Sequence, residues 1–313
     1  MRNFLSIRDV TDLKSLVAQA LRFKKDPYSE RYLGQGKTLG LIFMNPSLRT
    51  RLSTQRAAYQ LGMEVMVMNM NQDSWQLEFQ DGTVMNKGTA EHVREAAAVI
   101  SQYCDIIGIR TFAELQDREK DYQELILSKF VAYAQVPVIS LESATLHPLQ
   151  SLADIVTLTE HQTSKKPKVV VSWAPHPRAL PQAVVNSFLQ WARLWDCELL
   201  LTHPEGYELS DEFTSGVSVL HDQEKALEGA DFVYTKNWSS YQQYGQVLKT
   251  DASWMINEKK MSLTNNGRFM HCLPLRRNVV ATDRVVDNSL VIPQSKNRLY
   301  AAQAVLSEIL KNG

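Results

Sequence analysis

The chain has 313 residues, enough for two domains of ordinary size, and is 44% hydrophobic and 22% charged, the balance of a globular protein with a buried core. Lysine plus arginine and aspartate plus glutamate stand at 34 each, so no global charge draws it to nucleic acid or an anionic membrane, and any anion site must be built from local charge. Three cysteines without C-x-x-C spacing argue against a disulfide framework or structural zinc and fit a reducing cytoplasm; no apolar stretch is as long as a membrane span, and residues 1–12 carry no apolar signal core.

Val10, Leu13, Leu16, Val17, Ala20 and Leu21 recur at helical spacing and predict an amphipathic first helix, capped by Asp9 and ended by Asp26-Pro27. Gly36-Lys37-Thr38 resembles the close of a nucleotide P-loop. Arg31 stands where the first glycine belongs, however, and the segment precedes its strand, so it reads as a turn. Residues 39–44 form an apolar run that reads as a buried strand, and residues 52–61 a helix stopped by Gly62. Strands are predicted at 64–68, 105–110 and 137–142, and a helix at 91–103. Between them lies a long polar loop, 71–89, whose one large aromatic is Trp75. His147-Pro148-Leu149-Gln150 opens a helix over 151–160, and a Lys-rich polar segment follows at 161–168. The rhythm then restarts: strand 169–173, helix 180–194, strands 198–202, 217–220, 232–235 and 270–273, and a last helix over about 294–310. Apolar strands separated by helices predict an α/β protein of two doubly wound parallel sheets, with domains at 1–148 and 149–293 and a terminal segment at 294–313.

The chemistry concentrates in Phe43-Met44-Asn45-Pro46-Ser47-Leu48-Arg49-Thr50-Arg51. Ser47 falls where a strand ends and a helix begins, and there free backbone N–H groups and the positive end of the helix dipole point outward. Ser47 alone reads as an N-cap. With the hydroxyl of Thr50 and the guanidiniums of Arg49 and Arg51 the stretch becomes an oxyanion cradle suited to a phosphate. The other polar residues of interest also lie at predicted strand ends, where open α/β sheets bind ligands: Arg110, Glu142, His176, Lys236 and Cys272.

Ser-x-Arg-Thr-Arg after a strand resembles the carbamoyl-phosphate loop of the transcarbamylases. His147-Pro148-Leu149-Gln150 is similar to a second motif of that family, and His271-Cys272-Leu273-Pro274 to the loop of its ornithine branch. Spread over residues 47–277, the three motifs cover essentially the whole chain. The resemblance implies the two-domain transcarbamylase fold, with the last helix packing back on the first domain. It implies a homotrimer with shared active sites, in which Trp75 reaches the neighbouring subunit's site. Ser47, Leu48, Arg49 and Thr50 would hold the phosphate. Arg110, His147 and Thr50, with Arg298 nearby, would polarise the carbonyl, where negative charge builds in the tetrahedral transition state. Cys272 and its loop would meet the carbamoyl group and the attacking amine. No base beside Cys272 in sequence makes it a covalent nucleophile. Neither metal nor organic cofactor is required.

The departures from the family are informative. Ornithine transcarbamylases hold the free amino acid with an Asp-x-x-x-Ser-Met-Gly segment. The region here, Asn237-Trp238-Ser239-Ser240-Tyr241-Gln242-Gln243-Tyr244-Gly245, lacks it. The basic residues that aspartate transcarbamylases need are not found either. What remains resembles the N-acylornithine transcarbamylases of bacterial arginine synthesis, through Trp75, Glu142, the 173–178 segment, Lys236 and Asn297-Arg298. On that resemblance Glu142, His176, Lys236, Cys272, Leu273 and Arg276 bind the acylornithine. In the acetylornithine branch a glutamate stands near the acyl end. The matching segment here, aligned by its Glu91-His92 pair, has Ala90, with Lys87, His92 and Arg178 as sources of positive charge. An alanine leaves room for, and does not repel, a second carboxylate, so N-succinyl-L-ornithine is expected over N-acetyl-L-ornithine. Two rival classes are a non-catalytic trimer that binds carbamoyl phosphate or phosphate and a nucleotide-dependent α/β enzyme. A carbonyl-polarising histidine speaks against the first, and the absence of any Walker or G-x-G-x-x-G sequence against the second.

Overall fold

The computed structural model describes residues 1–248 and 251–312. The chain separates into two compact units. One comprises Met1–Ala113, Glu119–Leu149 and Arg298–Gly313, the other Glu114–Arg118 and Gln150–Asn297. The chain enters the second unit briefly at Glu114, returns at Glu119, crosses again just inside the helix Pro148–His161, and crosses last inside the helix Val291–Asn312, whose first residues belong to the second unit.

The first unit is built on β1 (Thr38–Phe43), β2 (Glu64–Asn69), β5 (Ile106–Arg110) and β6 (Val138–Glu142), all parallel in the order β2-β1-β5-β6. Two short strands, β3 (Leu77–Glu78) and β4 (Glu91–His92), pair by themselves. β1, β5 and β6 are buried along nearly their whole length, as expected of parallel strands covered on both faces. The second unit holds β7 (Lys168–Trp173), β8 (Glu198–Thr202), β9 (Ser218–Leu220), β10 (Phe232–Lys236) and β11 (Arg268–Met270), parallel in the order β11-β10-β7-β8-β9. In each sheet the strand order reverses at one place, between β1 and β5 and between β7 and β10. Loops leaving the carboxyl ends diverge there, and a crevice opens.

Several elements differ from the sequence expectation for identifiable reasons. Asp12, not Asp9, caps the first helix (Leu13–Lys25), accepting from Ser15 N at 3.0 Å. Asp9 instead closes a reciprocal box with Ser6 one turn earlier. The helix after β1 begins at Arg49 and ends at Gly62, whose φ of 87° suits a residue without a Cβ. Glu91 and His92 belong to β4, and the helix starts at Val93. Two helices, Arg118–Tyr122 and Leu125–Tyr133, carried no clear signal. The second is apolar almost all round, so it has no helical period to read. β11 stops at Met270, so His271, Cys272 and Leu273 lie in a loop where Leu273 has φ 56° and the Leu273–Pro274 peptide is cis. The last helix starts at Val291, and its later part packs within the first unit: Gln303 donates to the Pro27 carbonyl and the Ser307 hydroxyl is hydrogen-bonded with the Gln19 side-chain amide.

Candidate active site

In the first unit the site stands at the β1/β5 reversal. The helix after β1 has Leu48 at its N-cap with no side-chain cap bond, and the first intrahelical bond is Leu52 N to Leu48 O. The N–H groups of the first turn thus have no acceptor within the helix. The hydroxyl of Ser47 does not serve as the cap. Residues 43–48, with Arg51, Asn69 and Gln72, line a cavity of about 550 Å³. The Nε of Arg49 is buried and meets no acceptor in the protein.

Arg110 closes β5. A register shift after Ile109 sets it opposite Glu142, the last residue of β6. Its guanidinium is buried, donates to the carbonyls of Asn45 at 2.9 Å and Pro46 at 2.7 Å, and lies 3.0 Å from the Glu142 carboxylate. The Phe112 ring sits 4.1 Å beneath it. Arg110 therefore shapes the 45–46 loop as well as facing the cradle, and its Nε remains buried without an acceptor. Glu124 anchors the loop before His147, accepting from Ser143 Oγ at 2.7 Å, Thr145 N at 2.7 Å and Ala144 N at 3.2 Å. His147 is 3% exposed, its Nε2 is 3.5 Å from Glu142, and its Nδ1 is buried with no hydrogen-bond partner. Burial, with Arg298 and Arg110 nearby, holds the imidazole well below its ordinary pKa, so it is neutral and carries a single N–H. Arg298 donates from Nη2 to the Thr50 hydroxyl. The first unit thus gathers Arg49, Thr50, Arg110, Glu142, His147 and Arg298. Trp75 does not join them. It is 58% exposed and donates from Nε1 to Glu91 at 2.8 Å. Ala90 is exposed, with its N–H on the Gln76 carbonyl, and Leu48 is exposed too. His92 caps the following helix, its Nδ1 accepting from Arg94 N at 3.1 Å, and its Nε2 lies 3.6 Å from the Asp81 carboxylate.

In the second unit the site stands at the β7/β10 reversal. His176, just past β7, accepts on Nε2 from Arg276 Nε at 3.1 Å, which puts its hydrogen on Nδ1, 2.9 Å from the Arg178 carbonyl. Burial lowers its pKa, and the cations of Lys236, Arg276 and Arg178 lower it further against the raising effect of that hydrogen bond. Lys236 ends β10 and donates to the Asn237 carbonyl at 2.9 Å. Lys236, Arg276 and Arg178 around the neutral His176 make a cationic cluster suited to carboxylates. Cys272 is buried beside the hydroxyl of Tyr234, and Leu273 N donates to His271 Nδ1 at 2.9 Å. Among the described residues no group of three His, Cys, Asp or Glu could hold a metal ion. No helix among them is long and apolar enough to cross a membrane. The Phe112 shelf, the Asn45 and Pro46 carbonyls and Tyr234 were not singled out from sequence. Two are backbone or aromatic groups with no motif of their own, and Tyr234 is one apolar residue in a buried strand.

Residues 2–160 match the aspartate/ornithine carbamoyltransferase carbamoyl-P binding domain, and residues 181–309 the Asp/Orn binding domain of the same family. The chain belongs to the aspartate/ornithine carbamoyltransferase family. Among its relatives, the N-succinylornithine carbamoyltransferase of Bacteroides fragilis (strain 638R) is 50% identical over 100% of this chain and 99% of its own. The N-acetylornithine carbamoyltransferase of Xanthomonas axonopodis pv. citri (strain 306) is 37% identical over 99% of this chain and 96% of its own. Among solved structures, a glutamate-to-alanine variant of N-acetyl-L-ornithine transcarbamylase complexed with carbamyl phosphate and N-succinyl-L-norvaline superposes with a TM-score of 0.92. It is 38% identical, and the match covers 99% of this chain and 100% of that one. A lysine-to-alanine variant of the same enzyme, complexed with PALAO, gives a TM-score of 0.93 at 36% identity, again over 99% and 100% of the two chains.

Proposed function

We infer that this protein is a carbamoyltransferase of arginine biosynthesis that moves the carbamoyl group of carbamoyl phosphate to the δ-amine of N-succinyl-L-ornithine, giving N-succinyl-L-citrulline and phosphate. The observation that carries the reading is the uncapped helix start at Leu48–Arg51, flanked by buried guanidiniums with an Nε still lacking an acceptor, in a chain half identical to an N-succinylornithine carbamoyltransferase. Ser47, Leu48, Arg49 and Thr50 hold the phosphate, with Trp75 supplied by the neighbouring subunit. Arg110, His147, Thr50 and Arg298 polarise the carbonyl. A neutral imidazole and two cations there stabilise an oxyanion without first having to lose a proton. Glu142, His176, Lys236, Cys272, Leu273 and Arg276 take the acylornithine, and Ala90 and Arg178 its acyl end. The neutral δ-amine attacks the carbonyl carbon and a C–N bond forms. Collapse of the tetrahedral oxyanion then breaks the C–O bond to phosphate, which leaves with the proton lost from nitrogen. Holding two substrates in register supplies much of the rate.

Two observations support succinyl over acetyl. The His176, Arg178, Lys236 and Arg276 cluster suits a substrate with two carboxylates better than one with a single carboxylate. The related acetyl enzyme has been crystallised with N-succinyl-L-norvaline when one glutamate is alanine, and alanine is the residue at position 90 here. The protein works as a cytoplasmic homotrimer. The exposed apolar residues Leu48, Leu52, Tyr59 and Trp75 support a covered face in the first unit, and three free thiols suit a reducing compartment. The deciding experiment compares citrulline-type product formation from carbamoyl phosphate with ornithine, N-acetylornithine and N-succinylornithine. Succinylornithine is expected to give the highest kcat/KM. A preference for acetylornithine moves the chain to the other acyl branch, and turnover of none of the three refutes carbamoyl transfer.

A further inference from the structure

Behind the His271–Pro274 loop the second unit buries a carboxylate. Asp154 is 0% exposed. Its Oδ1 accepts from Gln150 Nε2 and from Gln294 Nε2, each at 2.7 Å, and its Oδ2 accepts from the Tyr234 hydroxyl at 2.9 Å. Gln294 uses its other end to accept the His271 N–H at 3.0 Å. The Tyr234 hydroxyl also lies within hydrogen-bonding reach of the Cys272 thiol, and its ring is stacked on Phe188 with centroids 4.2 Å apart. A carboxylate buried in a core is costly, and an apolar residue of similar size is often neutral or better for stability. A group of that cost, wired to both His271 and Cys272, calls for a role beyond packing.

The connectivity fixes the hydrogen directions. The tyrosine has one O–H, and the carboxylate, which can only accept when ionised, takes it. The phenolic oxygen is then left as an acceptor, and the only hydrogen between it and sulfur is that of the thiol. We propose that Asp154 and Tyr234 are positioning residues for Cys272: the chain from thiol S–H to phenol oxygen and from phenol O–H to carboxylate turns the thiol hydrogen into the core. The sulfur then presents its lone pairs to the site and accepts the N–H of the attacking amine. Gln294 completes the arrangement by tying the same carboxylate to the backbone of His271, which fixes where the loop starts. This rests on the carbamoyl-transfer reading above, and no bond to sulfur forms or breaks in it.

The test is a double-mutant cycle on the full-length protein. Tyr234→Phe keeps the ring and its stack on Phe188 and removes only the hydroxyl. It is expected to lower kcat about tenfold while the KM for carbamoyl phosphate stays within about twofold, the signature of a contact that matters in the transition state. In a Cys272→Ala background the same substitution is expected to change kcat by less than about twofold, because the group it positions is gone. A second, undiminished tenfold loss in that background overturns the proposal, as does a Tyr234→Phe enzyme with unchanged kcat. Should Tyr234→Phe not fold, Asp154→Asn is measured in the same two backgrounds with the same criteria. A wild type without carbamoyl transfer overturns the activity reading and the proposal with it. An active wild type with additive losses overturns the proposal alone.

Discussion

The two sheets present their ligand-facing groups in opposite ways. At the end of β1 and β5 the donors are buried and fixed: Arg110 is held by two backbone carbonyls, a carboxylate and a ring face, and His147 is fully enclosed. Of the cations at the ends of β7 and β10 only Lys236 is buried, and the two arginines face solvent. Arg276 donates to His176, and Arg178 is exposed. A site for a small, unvarying anion gains from rigidity, because preorganised donors need no rearrangement when charge develops. On the proposed function, a site that has to admit a longer substrate and tell one acyl group from another gains from a looser cationic rim. The difference explains why the first half reads as a compact motif and the second as scattered residues.

That contrast can be broken from the rigid side first. Arg110→Ala leaves Glu142 buried without its guanidinium and is expected to lower the unfolding free energy by roughly 3–5 kcal/mol, as read from urea denaturation; a change near zero would show that Arg110 does not organise the cradle. Arg49→Ala should fold normally and lose at least two orders of magnitude in kcat/KM, since one charge-assisted contact to the developing charge is worth roughly 3–4 kcal/mol. Near-normal turnover would remove Arg49 from the site. The looser side calls for a change of preference instead of a collapse. Ala90→Glu is expected to shift the ratio of kcat/KM for succinylornithine over acetylornithine by about 10- to 100-fold toward acetyl, and an unshifted ratio would show that position 90 is not at the acyl end. The trimer with shared sites predicts that inactive Trp75→Ala and inactive Arg49→Ala proteins regain measurable turnover after subunit exchange, with no recovery counting against sharing.

The smallest effect expected is on pH. His147 is held neutral in the folded protein well below its ordinary pKa of 6.5, so between those two values the unfolded chain binds more protons than the folded one. Stability is then fully present above pH 6.5 and falls as the pH drops below it. His147→Gln should flatten that part of the curve measured by denaturant unfolding. An unchanged slope would assign the acid sensitivity to the half-buried His176 and the buried His203, whose pKa values are also lowered by desolvation.

Local pattern alone determined the alternation of apolar strands and amphipathic helices, the turn just before β1, the stop at Gly62 and the three motifs around Ser47, His147 and Cys272. Each depends on side-chain period, on backbone freedom or on residues contiguous in the chain. Pattern could not reveal the helix Leu125–Tyr133, which is apolar on nearly every face, or the end of β11 at Met270, which depends on pairing with β10. It also could not show that Arg110 spends its donors on Asn45 and Pro46, residues about 65 positions earlier, or that Asp154 meets Tyr234 80 positions later. Those partners are brought together only by the strand order β2-β1-β5-β6 and β11-β10-β7-β8-β9. Hydrogen bonding between such distant residues is decided by which strand ends become neighbours and which helix packs on which strand, and that is a property of the folded unit that no local window of sequence contains.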